Sequence, residues 1–215
     1  MKIQKLIYAV LMLLPLPVTL VALAYLPDRI PAHYGADYQV DRWGSKYESL
    51  IFPILAILFG LLLLAIAKYS EKQGKGNERI CILSGIFLLL IMDILTGYFL
   101  YTDFHQMENL ADLPVNVDRL IFALLGLLLI VMGMILPKVK MNAVMGLRTK
   151  WSMKNETTWK KSQQFGGISF IIVGILILLL CLFTEGLACC FASIGVLLLS
   201  LPVDVYYTYR VAKKY

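Results

Sequence analysis

Six apolar runs of about 20 residues recur along the chain, each long enough at about 1.5 Å per residue to cross roughly 30 Å of hydrocarbon. A segment in lipid must satisfy every backbone N–H and C=O internally, so the expected fold class is all-α, a polytopic membrane protein of six transmembrane helices. The expected spans are 6–26, 50–68, 80–101, 119–137, 166–184 and 187–208, within a single membrane domain of residues 1–215. With 60% apolar and only 16% charged residues in 215, nothing is left over for a soluble domain.

Six crossings put both termini on one side, and the connections then alternate in charge. Lys2 and Lys5, then Lys68, Lys72, Lys75 and Arg79, then Lys138, Lys140, Arg148, Lys150, Lys154, Lys160 and Lys161, and finally Arg210, Lys213 and Lys214 place 16 of the 20 basic residues on one face. The other face holds Arg29, Arg42, Lys46 and Arg119 against nine acids. The positive-inside rule makes the basic face cytoplasmic, which is an N-in/C-in topology. The net charge of +6 therefore reports topology, and no direct nucleic-acid contact is expected.

The first run resembles a signal peptide in having Lys2 and Lys5 ahead of it and Ala22-Leu23-Ala24 near its end, but its apolar stretch exceeds that of a signal and it reads as a span. Pro15 and Pro17 remove backbone donors within it, so a kink is expected there, static or acting as a hinge. Gly74 and Gly76 punctuate the second connection. Cys81, Cys181, Cys189 and Cys190 form no C-x-x-C pair and read as free, packed thiols.

Asp93 is the one ionisable residue deep in a span, and an intramembrane carboxylate is a functional hypothesis by default. Two readings stay open. Hydrogen bonding to Thr96, a tyrosine or another helix would make it structural. Proton coupling would make the chain a small proton-coupled transporter or efflux protein. Asp204, near the end of the sixth span, is expected to reach Arg210 or interfacial water. His33 lies near Asp37 and Asp41, and His105 near Asp103 and Glu108, and both read as solvated loop residues with no metal site. The sequence contains no H-E-x-x-H, G-x-S-x-G, Walker or dinucleotide pattern, so neither an enzyme nor a cofactor is expected. Gly126 with Gly133, and Gly167 with Gly174, fall seven apart on single helix faces and point to close helix packing.

Two connections are too long and too aromatic for passive links. The extracytoplasmic loop 27–49 carries several tyrosines and Trp43, amphipathic surface suited either to the headgroup layer or to gripping a peptide or lipid. The cytoplasmic loop 138–165 alternates apolar and polar residues. It is expected to lie along the inner interface, with Ser152 capping a short helix, Trp159 and the lysines facing headgroups, and Gly146 permitting a turn.

In that cytoplasmic loop Asn142, Gly146-Leu147-Arg148-Thr149, Trp151-Ser152, Asn155 and Trp159 follow the pattern N-x-x-x-G-[IL]-R-T-P-W-[ST]-x-x-[ND]-x-x-x-W. In the outer loop Leu26-Pro27, Ile30-Pro31, His33, Asp41-Arg42, Gly44 and Lys46 follow L-P-x-x-I-P-x-H and an Asp-Arg-x-Gly-x-Lys end. The two patterns resemble the SdpI family of bacterial immunity membrane proteins and the domain of unknown function that accompanies it. Lys150 replaces the usual proline, Ser162-Gln163 stands for Thr-His, and the outer loop lacks an Asn-x-x-Gly after its histidine.

The resemblance implies a multi-pass protein of the bacterial plasma membrane that protects its cell from a secreted antimicrobial peptide toxin. It also implies signalling in some members, by holding a cytoplasmic ArsR-like repressor at the membrane. On that basis the expected toxin-binding residues are His33, Asp41, Arg42, Trp43 and Lys46. The expected docking residues are Asn142, Gly146, Arg148, Thr149, Trp151, Asn155 and Trp159. The other expected partners are membrane lipids.

Overall fold

A computed structural model describes residues 1–72 and 77–215. The turn expected at Gly74 and Gly76, and Lys75 beside it, lie outside the described residues. Among the described residues six helical segments are long and apolar enough to cross a membrane: Lys2–Ala22, Lys46–Glu71, Glu78–His105, Val117–Lys138, Glu156–Phe183 and Gly186–Lys214. The chain groups into two compact units, one of residues 1–65 and 85–116, the other of residues 66–84 and 117–215.

The first unit begins with α1 (Lys2–Leu13) and α2 (Pro15–Ala22). Leu14 between them keeps right-handed helical angles. What Pro15 removes is a backbone donor, so the interruption is one of hydrogen bonding. Tyr8 locks this segment to its neighbours. Its hydroxyl donates to the Gly60 carbonyl at 2.6 Å, and its ring fills the space a side chain at Gly85 would need. Gly60 lies on α3 (Ile51–Lys72) and Gly85 on α4 (Glu78–His105), which are further joined by stacking of Phe52 on Phe99 at 4.8 Å.

The loop 27–49 holds a feature that the all-α expectation did not include. β1 (Arg29–Tyr34) pairs antiparallel with β2 (Val40–Ser45), and register shifts on either side of His33 mark bulges. Tyr38 turns the hairpin at φ +65°, with Gly35 N–H donating to the Gln39 carbonyl at 2.8 Å. The hairpin does not end free. Val40 N–H donates to Glu108 at 2.9 Å and Leu110 N–H to Tyr38 at 3.0 Å, so the segment after α4 continues the pairing.

In the second unit α5 (Val117–Ile135) packs against α6 (Glu156–Phe183) through the four glycines. A Cβ on Gly126 would sit 2.9 Å from the Gly174 carbonyl, and one on Gly133 2.5 Å from the Gly167 carbonyl. The seven-residue spacings thus face each other and bring the two backbones into contact, which only glycine allows. α7 (Gly186–Lys214) returns along α6, with Phe165 stacked on Tyr207 at 3.8 Å and a core of Leu129, Val173, Ile177, Cys181 and Cys189. All four cysteines are free, as expected, with the Cys181 and Cys189 sulfurs 3.6 Å apart.

α6 starts ten residues before the expected span at 166. Asn155 caps it, accepting from Thr158 N–H at 2.9 Å while Thr158 Oγ1 accepts from Asn155 N–H at 3.1 Å. The first turns are polar in sequence but buried at Thr158, Trp159, Ser162 and Gln163, so hydropathy alone hides them. Ser152 is not a helix cap. Its Oγ accepts from Thr149 N–H at 2.9 Å and donates to the Leu147 carbonyl at 2.9 Å.

Candidate functional site

The hairpin gathers the charged residues of the outer motif and pairs them among themselves. His33 Nδ1 lies 2.6 Å from Asp41 Oδ1, with 64% and 53% of the two side chains exposed. Arg42 makes a two-pronged contact with Glu48, at 2.9 and 3.2 Å, and donates a third bond to the Ala32 carbonyl at 3.2 Å. The Glu48 carboxylate holds the Arg42 guanidinium above even its ordinary pKa. Lys46 reaches Asp28 at 2.9 Å.

Glu48 also closes a capping box with Ser45 over the short 3-10 turn Lys46–Leu50 that leads into α3. Gly44 is small for this reason, because the space a Cβ would take is filled by Glu48 Oε1 and the Ala32 side chain. Beneath the hairpin, burial pushes the Tyr34 phenol above its usual range and keeps it a donor, to the Met107 carbonyl at 2.9 Å. Ser49 donates to the buried Asp103 at 2.6 Å. Asp103 therefore sits inside the last turns of α4 and is not a loop neighbour of His105, which instead contacts Tyr101. Trp43 is half-buried opposite Pro31. The result is an exposed polar face on a hairpin held at both edges. Among the described residues no group of three metal-ligating side chains is assembled.

The signature loop is built in the opposite way. Asn142 is buried, with Oδ1 accepting from Val144 and Met145 N–H, both at 2.7 Å, and Nδ2 donating to the Lys140 carbonyl at 2.8 Å. Gly146 has φ +115°, and a Cβ there would lie 2.7 Å from Gln163 Oε1. Gln163 grips the backbone of Leu147 from both sides, accepting at 2.8 Å and donating at 3.0 Å. Thr149 Oγ1 meets Thr208 Oγ1 of α7 at 2.9 Å, and Trp151 packs edge-on against Tyr209 at 5.3 Å. Lys154 Nζ donates to the Ala212 carbonyl at 2.8 Å, close to the end of α7.

Trp159 corrects the expectation that it faces headgroups. It is 3% exposed, packed with Ile135 and Val139, and its Nε1 donates to the Val139 carbonyl at 2.7 Å. Of the expected docking residues, Asn142, Gly146, Thr149, Asn155 and Trp159 hold the loop's own backbone or cap α6. Arg148 is exposed and makes no hydrogen bond or ion pair among the described residues.

Sequence reasoning missed Glu48, Asp28, Asn77 and Gln163. Asn77 is buried just before α4 and makes paired 3.1 Å bonds with the backbone N–H and C=O of Lys140. The one available signal was Ser45-x-x-Glu48, a capping-box pattern.

The two intramembrane carboxylates also differ from expectation. One oxygen of Asp93 is buried without a hydrogen-bond partner, and Thr96 donates to the Met92 carbonyl instead of to Asp93. Asp204 is 1% exposed with both oxygens lacking a hydrogen-bond partner, and Arg210 bonds Tyr206 at 3.2 Å, not Asp204. The expected Asp204–Arg210 contact is absent because residues 204 and 210 lie on different faces of one helix.

Both motif regions coincide with known families. Residues 10–57 match a domain of unknown function designated DUF1648, and residues 138–207 match the SdpI/YfhL protein family. The chain is 24% identical to the immunity protein SdpI of Bacillus subtilis (strain 168), over 98% of this chain and 97% of that protein. No solved structure matches it. With six helices among the described residues long and apolar enough to cross a membrane, the chain is a multi-pass protein of the bacterial plasma membrane in which a segment matching DUF1648 is followed by one matching the SdpI/YfhL family.

Proposed function

We propose that this chain is an immunity protein, protecting its cell against a secreted antimicrobial peptide by binding and without catalysis. The observation that carries the reading is the match, along 98% of the chain, to a protein named for immunity. The orientation that fits is N-in/C-in, because 16 of 20 basic residues then lie inside and the acidic, aromatic hairpin connection lies outside. In that orientation the exposed His33–Asp41 and Arg42–Glu48 pairs, beside half-buried Trp43, offer an amphipathic peptide both charge and apolar surface. Lys46 and Asp28 add a third ion pair at the base of the hairpin.

Inside, Arg148 is the signature residue left over after the loop has satisfied its own backbone. It is the residue through which a cytoplasmic protein with acidic patches, such as an ArsR-like repressor, would dock. If the peptide favours one packing of the bundle, linkage between the two faces converts capture into a signal.

A sensitive host expressing the chain and challenged with a panel of secreted membrane-active peptides should survive at least one that kills the empty-vector host. Survival of none would remove the immunity reading. The buried, unpartnered oxygen of Asp93 supports a second reading, a proton-coupled transporter or efflux protein. Asp93→Asn should abolish protection under that reading while leaving membrane expression intact. Full protection by the variant excludes it.

A further inference from the structure

The end of α5 and the start of α6, which flank the signature loop, border an open cavity of about 500 Å³. Lys138, Lys140 and Lys160 line it, Trp159 and Met141 supply apolar wall, and Glu156 stands at its edge. All three lysines are exposed, and none of their side chains makes a hydrogen bond or ion pair among the described residues. We infer that this cavity is a binding site for the phosphodiester headgroup of an anionic phospholipid, held by Lys138, Lys140 and Lys160 beside Pro137 and Met141.

Three observations point to a built site and not a loose basic patch. The strand of backbone that carries two of the lysines is pinned from three directions: Asn77 bonds both polar groups of Lys140 at 3.1 Å, Asn142 bonds the Lys140 carbonyl at 2.8 Å, and the Trp159 indole bonds the Val139 carbonyl at 2.7 Å. A pinned backbone removes the backbone share of the ordering cost, leaving only that of the lysine side chains. The three cations face one carboxylate, which leaves a net positive cavity and favours a headgroup with net negative charge over a zwitterionic one.

The cavity also lies where two membrane-spanning helices end, so its natural occupant comes from the headgroup layer, with the glycerol region against Pro137 and Met141. A second basic cavity, of about 440 Å³ at Tyr206, Tyr209, Arg210, Lys213 and Lys214, lacks these features. There the charges are engaged by rings, with Lys213 Nζ 4.7 Å from the Tyr209 centroid and Arg210 on Tyr206. It serves as an internal control with the same number of cations.

The test uses the full chain in detergent, with phosphatidylglycerol, phosphatidylethanolamine or phosphatidylcholine added and bound lipid counted by native mass spectrometry. Phosphatidylglycerol should bind in preference to the other two. Lys160→Gln, on the exposed side of α6, should weaken it roughly fivefold, and the triple Lys138→Gln/Lys140→Gln/Lys160→Gln by well over tenfold, about 1 kcal/mol for each charge removed. The matched triple Arg210→Gln/Lys213→Gln/Lys214→Gln should change binding less than about threefold, less than a single headgroup lysine is worth. Equal losses in the two triples, equal binding of the three lipids, or displacement by millimolar inorganic phosphate would each overturn the assignment. The lipid site does not rest on the immunity reading, and survival assays play no part in judging it.

Discussion

The hairpin and the signature loop are both dense in motif residues, yet they spend those residues in opposite ways. In the hairpin the motif buries Leu26, Ile30 and Pro31 but leaves its charged members exposed or half-buried, pairing with one another or with Asp28 and Glu48 across a surface. In the signature loop the motif is mostly uncharged and buried or half-buried, and Asn142, Ser152, Asn155, Thr158, Trp159 and Gln163 satisfy the loop's own backbone. Where a loop without regular structure is buried at the end of a helix bundle, each N–H and C=O there needs a partner, and side chains supply it. The contrast teaches that a signature need not be an interface. Most of this one is scaffold, and the signature residue left without a hydrogen bond or ion pair among the described residues is Arg148.

That contrast can be broken by stability measurements on the purified chain. Trp159→Ala should have the largest effect, about 3–5 kcal/mol, since it empties a buried indole site and strands the Val139 carbonyl. Gln163→Ala should follow at about 1–3 kcal/mol, leaving the Leu147 N–H without its partner and the Leu147 carbonyl with the Ser152 hydroxyl alone. Thermal melting in one detergent orders the two. Glu48→Gln should produce a smaller drop in Tm, because it loosens the Arg42 pair and one half of a cap in a partly exposed place. His33→Ala and Asp41→Asn should leave Tm unchanged within error, as solvent-screened pairs contribute little to folding. Hairpin variants that melted as early as Gln163→Ala would erase the distinction between exposed surface and buried scaffold.

The membrane spans were legible in the sequence because each is a long apolar run, and the glycine spacings on α5 and α6 correctly announced close packing. The hairpin was not legible. Pro31 and the bulges beside His33 interrupt the two-residue alternation by which strands are recognised, and the tyrosines read equally well as headgroup anchors. The early start of α6 was hidden for a related reason. Thr158, Ser162 and Gln163 are polar by composition but buried against the loop, so hydropathy places the helix start too late. Trp159 misled because an aromatic flanked by lysines near a span usually faces the interface. Asp204 misled because proximity in sequence to Arg210 suggested a pair that helix geometry does not make.

The central claim is that protection resides in the exposed face of the hairpin. Its most direct measurement is survival of the sensitive host under a peptide that the unaltered chain resists, with the His33→Ala/Asp41→Asn variant compared with Arg148→Ala at matched membrane levels. The account predicts that the hairpin variant melts as the parent does and loses protection, while Arg148→Ala keeps it. Full protection by the hairpin variant would contradict the account.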